Sequence, residues 1–369
     1  MANKPSIYLV SMNEIDFGLV RHYCSLGILS NISRLHECGF FYRTESESEC
    51  HLLEPWIQWV TVHTGLDYSE NGASRLGDIV ARDDLVQAWE ELELQGKRIG
   101  AISPCNTANR LKKSALLMRI EKAGVKAMLL DQLLSDVFIK FCLKHKLGFA
   151  SLFLHSGAHR QHHYLFNSAS YSGSNTNPEW SCVLQSEPLE GILAIHDKLI
   201  GDIVKTENRV IIATGLHQVP HEVTTYYWRL KNHSSFSESI GINNSKTIIP
   251  RMSRDFLVEF HTVDHATAAA DVLLNTQYSG KDSPVFSVDN RGSSPSIELV
   301  YANKVTEDDS VTVKGGKFMV GNIQEHLSLV ATKNGEHDGE EYVLRNFNVD
   351  MEKAFPLRDM KDVIIRSVA

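Results

Sequence analysis

The 369-residue sequence lacks several features, and each lack argues against a class of protein. No CxxC pair occurs among the six cysteines, Cys24, Cys38, Cys50, Cys105, Cys142 and Cys182. That argues against a thiolate zinc site and leaves reduced thiols as the expectation. No run reaches the ~18 apolar residues that a membrane-spanning helix needs. No charged segment followed by a long apolar one opens MANKPSIYLVSMNEID, so no signal peptide is expected and the cytoplasm is the expected compartment. There is no basic surplus either. The net charge of −8 argues against a general nucleic-acid binder and leaves a small anionic substrate open, since a cleft can differ in sign from the whole. No internal repeat or low-complexity segment is present.

What is present is an ordinary globular composition with 17 histidines, several of them clustered. Residues 6–12 (SIYLVSM), 97–103 (KRIGAIS), 149–154 (FASLFL) and 209–213 (RVIIA) are short apolar runs of the kind that form buried parallel strands. Between them, residues 17–38, 85–94, 111–130, 131–146 and 189–205 repeat apolar residues at helical spacing. Alternation of this kind predicts an α/β fold, a doubly wound and mostly parallel sheet flanked by helices. Asn13-Glu14, His155 and Thr214–Gln218 follow strand exits, the end of such a sheet where ligands bind. After Pro220 the pattern changes to short strand-like runs with an Ala-rich helix at 266–275. The expected organisation is an α/β core of residues 1–219 and 316–369, with a small α+β insertion or cap at 220–315.

Four stretches together resemble the alkaline phosphatase-like superfamily of phosphatases, phosphodiesterases and sulfatases. Residues 6–35 are similar to its opening strand, acidic ligand and helix, ending here in ILSNISRL. Residues 53–78, LEPWIQWVTVHTGLDYSENGASRLGD, resemble its nucleophile segment, with Thr64-Gly65 matching "TG" and Asn71-Gly72 standing for "HG". Residues 194–218 resemble the helix and strand before its "S-D-H-G" motif, and residues 333–340 (KNGEHDGE) resemble the segment that supplies a late metal-binding His.

The resemblance implies metal chemistry, because divalent ions neutralise the anionic oxygens of a phosphate ester and stabilise its leaving group. The Asp-x-x-x-His position falls on His155 and His159, and the late His on His337. These three with an open fourth position would suit zinc, or manganese or iron. Read without the resemblance, His155, His159, His162 and His163 are surface or packing histidines. The opening acidic ligand falls on Asn13, with Glu14 beside it, and the Asp-His pair on 214–217, leaving His217. The nucleophile position falls on Glu54 or Pro55, with no Thr, Ser or Cys there. Pro55 cannot react; Glu54 can act as ligand, base or nucleophile. Thr61 and Thr64 fit the helix pattern as packing residues.

In the insertion, Arg251, Arg254 and Arg291 can clamp a phosphate or carboxylate, or form salt bridges with Asp255 and Asp289. His261, His265 and Asp264 precede the Ala-rich helix, and capping by Asp264 accounts for them. The functional expectation is a metal-dependent hydrolase of a phosphate-type ester, such as a sugar phosphate or nucleotide-sugar. The alternatives are a transferase or other non-hydrolytic enzyme on the same fold, or a non-catalytic binding member.

Overall fold

Ile7–Met12, strand β1, is buried at every position. A strand covered on both faces needs an unbroken apolar run, and IYLVSM comes close to one. In the computed structural model, β1 is followed in chain order by α1 (Phe17–Ser25), α2 (Ser30–Cys38), β2 (Phe40–Glu45), α3 (Pro55–Thr64), α4 (Tyr68–Asn71), α5 (Ala88–Leu94) and β3 (Ile99–Ile102). Next come β4 (Leu117–Met118), α6 (Ala127–His145), β5 (Phe149–Leu154), α7 (Ser156–Tyr164), α8 (Glu190–Val204), β6 (Arg209–Ala213) and β7 (His217–Pro220). The structure describes residues 6–102, 104–108, 110–111, 117–118, 127–179, 182, 186–251, 254–278, 283–313, 315–316 and 318–368. Most of the helix expected at 111–130 therefore lies outside the described residues.

The chain continues with β8 (Tyr226–Leu230), α9 (His233–Ser239), β9 (Ser245–Pro250), β10 (Asp255–Phe260), α10 (Val263–Leu274) and β11 (Thr276–Tyr278). It then forms β12 (Phe286–Asp289), β13 (Ser296–Leu299), β14 (Val311–Val313), β15 (Met319–Val320) and β16 (Leu327–Thr332). The last elements are β17 (Gly335–Asp338), β18 (Glu340–Arg345), β19 (Ala354–Pro356) and α11 (Met360–Val368).

Two compact units result, residues 1–220 with 334–369, and residues 221–333. The first holds an eight-stranded sheet in the order β19-β2-β18-β6-β1-β5-β3-β4. β1 lies between β6 and β5 and runs parallel to both, and β3 and β4 continue the parallel set. β18 runs antiparallel to its neighbours β6 and β2. This is the mainly parallel, helix-flanked sheet that the alternation predicts. One face carries a core with Leu19, Ile32, Phe138 and Ile200 from α1, α2, α6 and α8. The other carries Trp59, Trp89, Leu92 and Ile364 from α3, α5 and α11. β7 and β17 form a separate antiparallel ribbon pairing Gln218 with His337.

The second unit contains the four-stranded antiparallel sheet β12-β13-β10-β9, a three-stranded sheet β11-β14-β15 and the pair β16-β8. Its own core includes Phe236, Phe256, Leu273 and Phe286. Residues 316–333, expected in the first unit, fall in this one, because Leu327–Thr332 pairs with Tyr226–Leu230. Thr262, and not Asp264, caps α10, its side chain accepting from His265 N.

Candidate functional site

Three strand exits and one helix converge on Glu14. The residue follows β1 at a positive φ of 59° and is 2% exposed. Its backbone N–H donates to the Thr214 carbonyl at 3.0 Å, and Asn13 N–H donates to the Leu154 carbonyl at 3.2 Å. The loop after the central strand is thus pinned to the ends of both neighbours. Asp16 then caps α1, its carboxylate accepting from Gly18 N and Leu19 N, as a helix N-terminus requires.

Oε2 of Glu14 lies 3.0 Å from His162 Nε2 and 3.0 Å from His337 Nε2. The Gln218 amide donates to the same oxygen at 2.5 Å. The other oxygen, Oε1, accepts from Asn13 Nδ2 at 2.7 Å. Burial alone would raise the Glu14 pKa, but the hydrogen bonds from His162 and His337 outweigh it and hold the carboxyl well below its usual range. Burial lowers the His337 pKa, but the hydrogen bond and charge of Glu14, with Glu54 and the Leu53 backbone, together raise it, so the net shift is upward. His337 also has a backbone hydrogen bond to Leu53, and its Nδ1 faces Glu54 Oε2 at 3.8 Å.

Ligand atoms of Glu14, His162 and His337 all lie within 4.8 Å of one another. Donors bound to one ion at ~2.1 Å sit roughly 3.0–3.4 Å apart, and the two 3.0 Å separations meet that requirement. One carboxylate and two imidazoles suit a divalent ion of the zinc, manganese or iron kind. The residues present therefore fit a metal.

The expected ligands His155 and His159 flank this group. His155 directly precedes α7, with its Nδ1 3.3 Å from Asn13 Nδ2. Its ring meets His159 edge-on with centroids 4.4 Å apart. Burial, then the neighbouring His155, pushes His159 down to about 4. Asn13 spends its carbonyl oxygen on Trp59 Nε1 at 2.7 Å. Trp59 in turn lies against Gly215, which adopts φ +76° and has no room for a side chain. His217 is buried and its Nδ1 meets the Glu340 carbonyl, while its neighbour Gln218 reaches Glu14. Glu54 stands at the N-cap of α3, ahead of Pro55 in the first turn. Thr61 is buried within α3.

His162 is the residue that the expected ligand set omitted. His155, His159 and His162 follow at i, i+4 and i+7, which is one stripe of a helix. A helical reading of HSGAHRQHHY would have found it.

The three arginines lie in the second unit. Arg254 pairs with Glu298 at 2.7 Å and sits over the Tyr227 ring at 4.5 Å. Arg291 pairs with Asp289 at 2.8 Å. Arg251 is exposed, and its backbone N–H donates to the Asp255 carbonyl.

No family model matches the chain, and no curated protein matches it in sequence. Its fold does match solved structures. Phosphonoacetate hydrolase from Sinorhizobium meliloti in complex with phosphonoformate is similar with a TM-score of 0.52 and 8% identity, over 100% of this chain and 96% of that one. Human ectonucleotide pyrophosphatase/phosphodiesterase 5 is similar with a TM-score of 0.50 and 12% identity, over 98% of this chain and 94% of that one. At these identities the likeness is one of fold, and the fold is alkaline phosphatase-like. Among the described residues no helix is long and apolar enough to cross a membrane.

Proposed function

We propose that this protein is a metal-dependent hydrolase of a phosphate-type ester, with Glu14, His162 and His337 holding a divalent ion, zinc in first place. The observation that carries this reading is the pair of 3.0 Å approaches of His162 and His337 to one buried carboxylate oxygen at the exit of the central strand. That exit is where an open parallel sheet takes its ligands. When bound, the ion would supply Lewis-acid neutralisation of the ester's anionic oxygens.

The protein's own groups do the rest. Glu54 is about one-third exposed and faces His337, and the sequence resemblance puts Glu54 or Pro55 at the nucleophile position. The Glu54 carboxylate accepts the proton of water as the water oxygen bonds to phosphorus and the bond from phosphorus to the leaving oxygen breaks; that oxygen departs with the electron pair and takes a proton from solvent. Pro55 leaves no hydroxyl or thiol at the neighbouring position, so no covalent phospho-enzyme forms there. His159, kept neutral by burial, adds an imidazole to the polar wall without adding charge. A small anionic ester, such as a sugar phosphate or nucleotide-sugar, is the substrate class. The missing nucleophile also favours a second reading, a transferase on the same metal group.

The test is metal analysis of the purified chain after supply of zinc, manganese and iron, then a screen of phosphate monoesters, phosphate diesters and sulfate esters. Retained metal with phosphoester hydrolysis is the expected result. Retained metal without hydrolysis of any ester favours the transferase, and no retained metal removes both readings.

A further inference from the structure

A cavity of about 610 Å³ in the first unit is bounded by residues just beyond the metal-type cluster on three segments. Asp16 comes two residues after Glu14, Leu165 three after His162, and Pro220 two after Gln218, and all three line it. The remaining wall, around Ser168 and Tyr171, is tied back to the same cluster. Phe166 N–H donates to Asn334 Oδ1 at 2.9 Å, and Asn334 directly precedes the strand that carries His337. Asn177 braces this wall by donating to both Asn167 and Asn334.

The mostly apolar lining carries a few polar side chains. Arg21 is exposed, and among the described residues it forms no ion pair. The carboxylate among the lining residues, Asp16, has both oxygens engaged by α1 amides, at 2.8 and 3.0 Å. Tyr171 Oη accepts from Asn175 N–H at 3.2 Å, which leaves its own proton to donate. Ser168 and Ser170 hydroxyls lie 2.8 Å apart and share one hydrogen bond, which leaves one of their two protons to donate. A guanidinium and two hydroxyl donors around one space match an anion.

We infer that this cavity receives the organic part of the ester, and that Arg21 with the Tyr171 and Ser168/Ser170 hydroxyls binds a second anionic group on it, a carboxylate or a phosphate. The inference rests on the phosphoester reading of the Glu14 cluster for the first anionic group. It makes Arg21 a specificity-determining residue, since a side chain at the surface can be changed without disturbing the core.

Calorimetric titration of the full-length, zinc-supplied protein tests it with matched probes. Glycerol 3-phosphate and 3-phosphoglycerate differ by a carboxylate; ribose 5-phosphate and ribose 1,5-bisphosphate differ by a phosphate. In the wild type, the doubly anionic member of at least one pair is expected to bind at least about tenfold tighter, and Arg21→Gln is expected to bring that ratio to within about twofold. The pair that responds identifies the group. A ratio near one in both pairs, or a ratio that Arg21→Gln leaves unchanged, overturns the inference. Hydrolysis of p-nitrophenyl phosphate and bis(p-nitrophenyl) phosphate, neither of which has a second anionic group, tests the Glu14 reading separately. No turnover beside an Arg21-dependent ratio sinks that reading and keeps the anion site, whereas turnover beside an Arg21-independent ratio does the reverse.

Discussion

His337 Nε2 stands 3.0 Å from Glu14 Oε2, which joins residues 323 positions apart in the chain. The separation is closed because β1 occupies the middle of the sheet and the β7–β17 ribbon returns His337 beside it. A hard anionic oxygen between two imidazoles should dominate the affinity for an ion. Glu14→Gln exchanges it for a neutral amide of the same size. Zinc affinity is expected to fall by at least about a hundredfold, since even the outer partners of metal ligands are worth ten- to a hundredfold. Competition with a chelator of known affinity measures this, and an unchanged affinity would take Glu14 out of the ligand set.

Glu54 and Thr61 lie on the same helical segment but offer different chemistry. Glu54 is partly exposed and faces His337, whereas Thr61 is buried in α3. Glu54→Gln is expected to lower kcat on a phosphate ester by about a hundredfold or more while leaving KM within a few fold, as loss of a general base does. Thr61→Ala is expected to retain turnover. Steady-state kinetics on both variants decide the point, and the opposite ranking would give the reaction to a hydroxyl.

His63 makes stability acid-sensitive. Its ring lies between Trp59 and Trp89, with centroids at 5.7 and 4.5 Å, and both ring nitrogens are buried without a hydrogen-bond partner among the described residues. Burial pushes its pKa from 6.5 down to about 3. The unfolded chain therefore binds a proton that the folded chain refuses, so stability falls as pH drops from about 6.5 towards 3. The slope is about 1.4 kcal/mol per pH unit. Urea unfolding at pH 7.5 and pH 5 should show the wild type losing about 2 kcal/mol more than His63→Leu. Equal losses would mean that the ring is not buried in the neutral form.

Glu341 acts in the opposite direction. It is fully buried on β18, with Oε2 accepting from Thr44 at 2.8 Å. Burial raises its pKa from 4.5 to about 8. The folded state then holds a proton that the unfolded state releases, so this contribution is complete below pH 4.5 and is lost as pH rises to 8. Glu341→Gln removes the titration while keeping an amide oxygen for Thr44. Its stability relative to wild type should rise between pH 5 and pH 8 by on the order of 3 kcal/mol. A pH-independent difference in urea midpoints would contradict this.

How much of the site could be read beforehand depended on whether local pattern or long-range pairing defined it. β1 and β5 were legible because runs buried on both faces must be apolar. Of the candidate cluster, Glu14 enters the sequence reading as the neighbour of Asn13 after the first strand, and His337 through the resemblance of the late segment. His162 lies outside the Asp-x-x-x-His spacing, which reaches only His155 and His159, while the helix carries that stripe one turn further. The membership of residues 316–333 was illegible for a different reason. Alternation in Leu327–Thr332 marks a strand, but nothing in it names Tyr226–Leu230 as its partner.

The last prediction concerns what holds α7 in place. Asp131, on α6, is 2% exposed and collects four donors: His155 N at 3.2 Å, Ser156 N at 3.0 Å, Ser156 Oγ at 2.5 Å and His196 Nε2 at 3.2 Å. Burial opposes its charge, and hydrogen bonds from His196 and Ser156 more than compensate, so its pKa is lowered. The carboxylate thus closes the first turn of the helix that presents His159 and His162. Asp131→Asn keeps the volume but swaps an accepting oxygen for a donor facing other donors. Hydrogen bonds to a charged group are worth about 1.5–3 kcal/mol each, and they are not additive in a shared network. A net loss of about 3 kcal/mol in unfolding free energy is expected, together with roughly tenfold weaker zinc binding as α7 loosens. Ser156→Ala, which removes one donor and leaves the carboxylate, should cost only about 1 kcal/mol and leave zinc affinity within about twofold. Equal effects of the two substitutions on zinc would show that α7 is held by packing and not by Asp131.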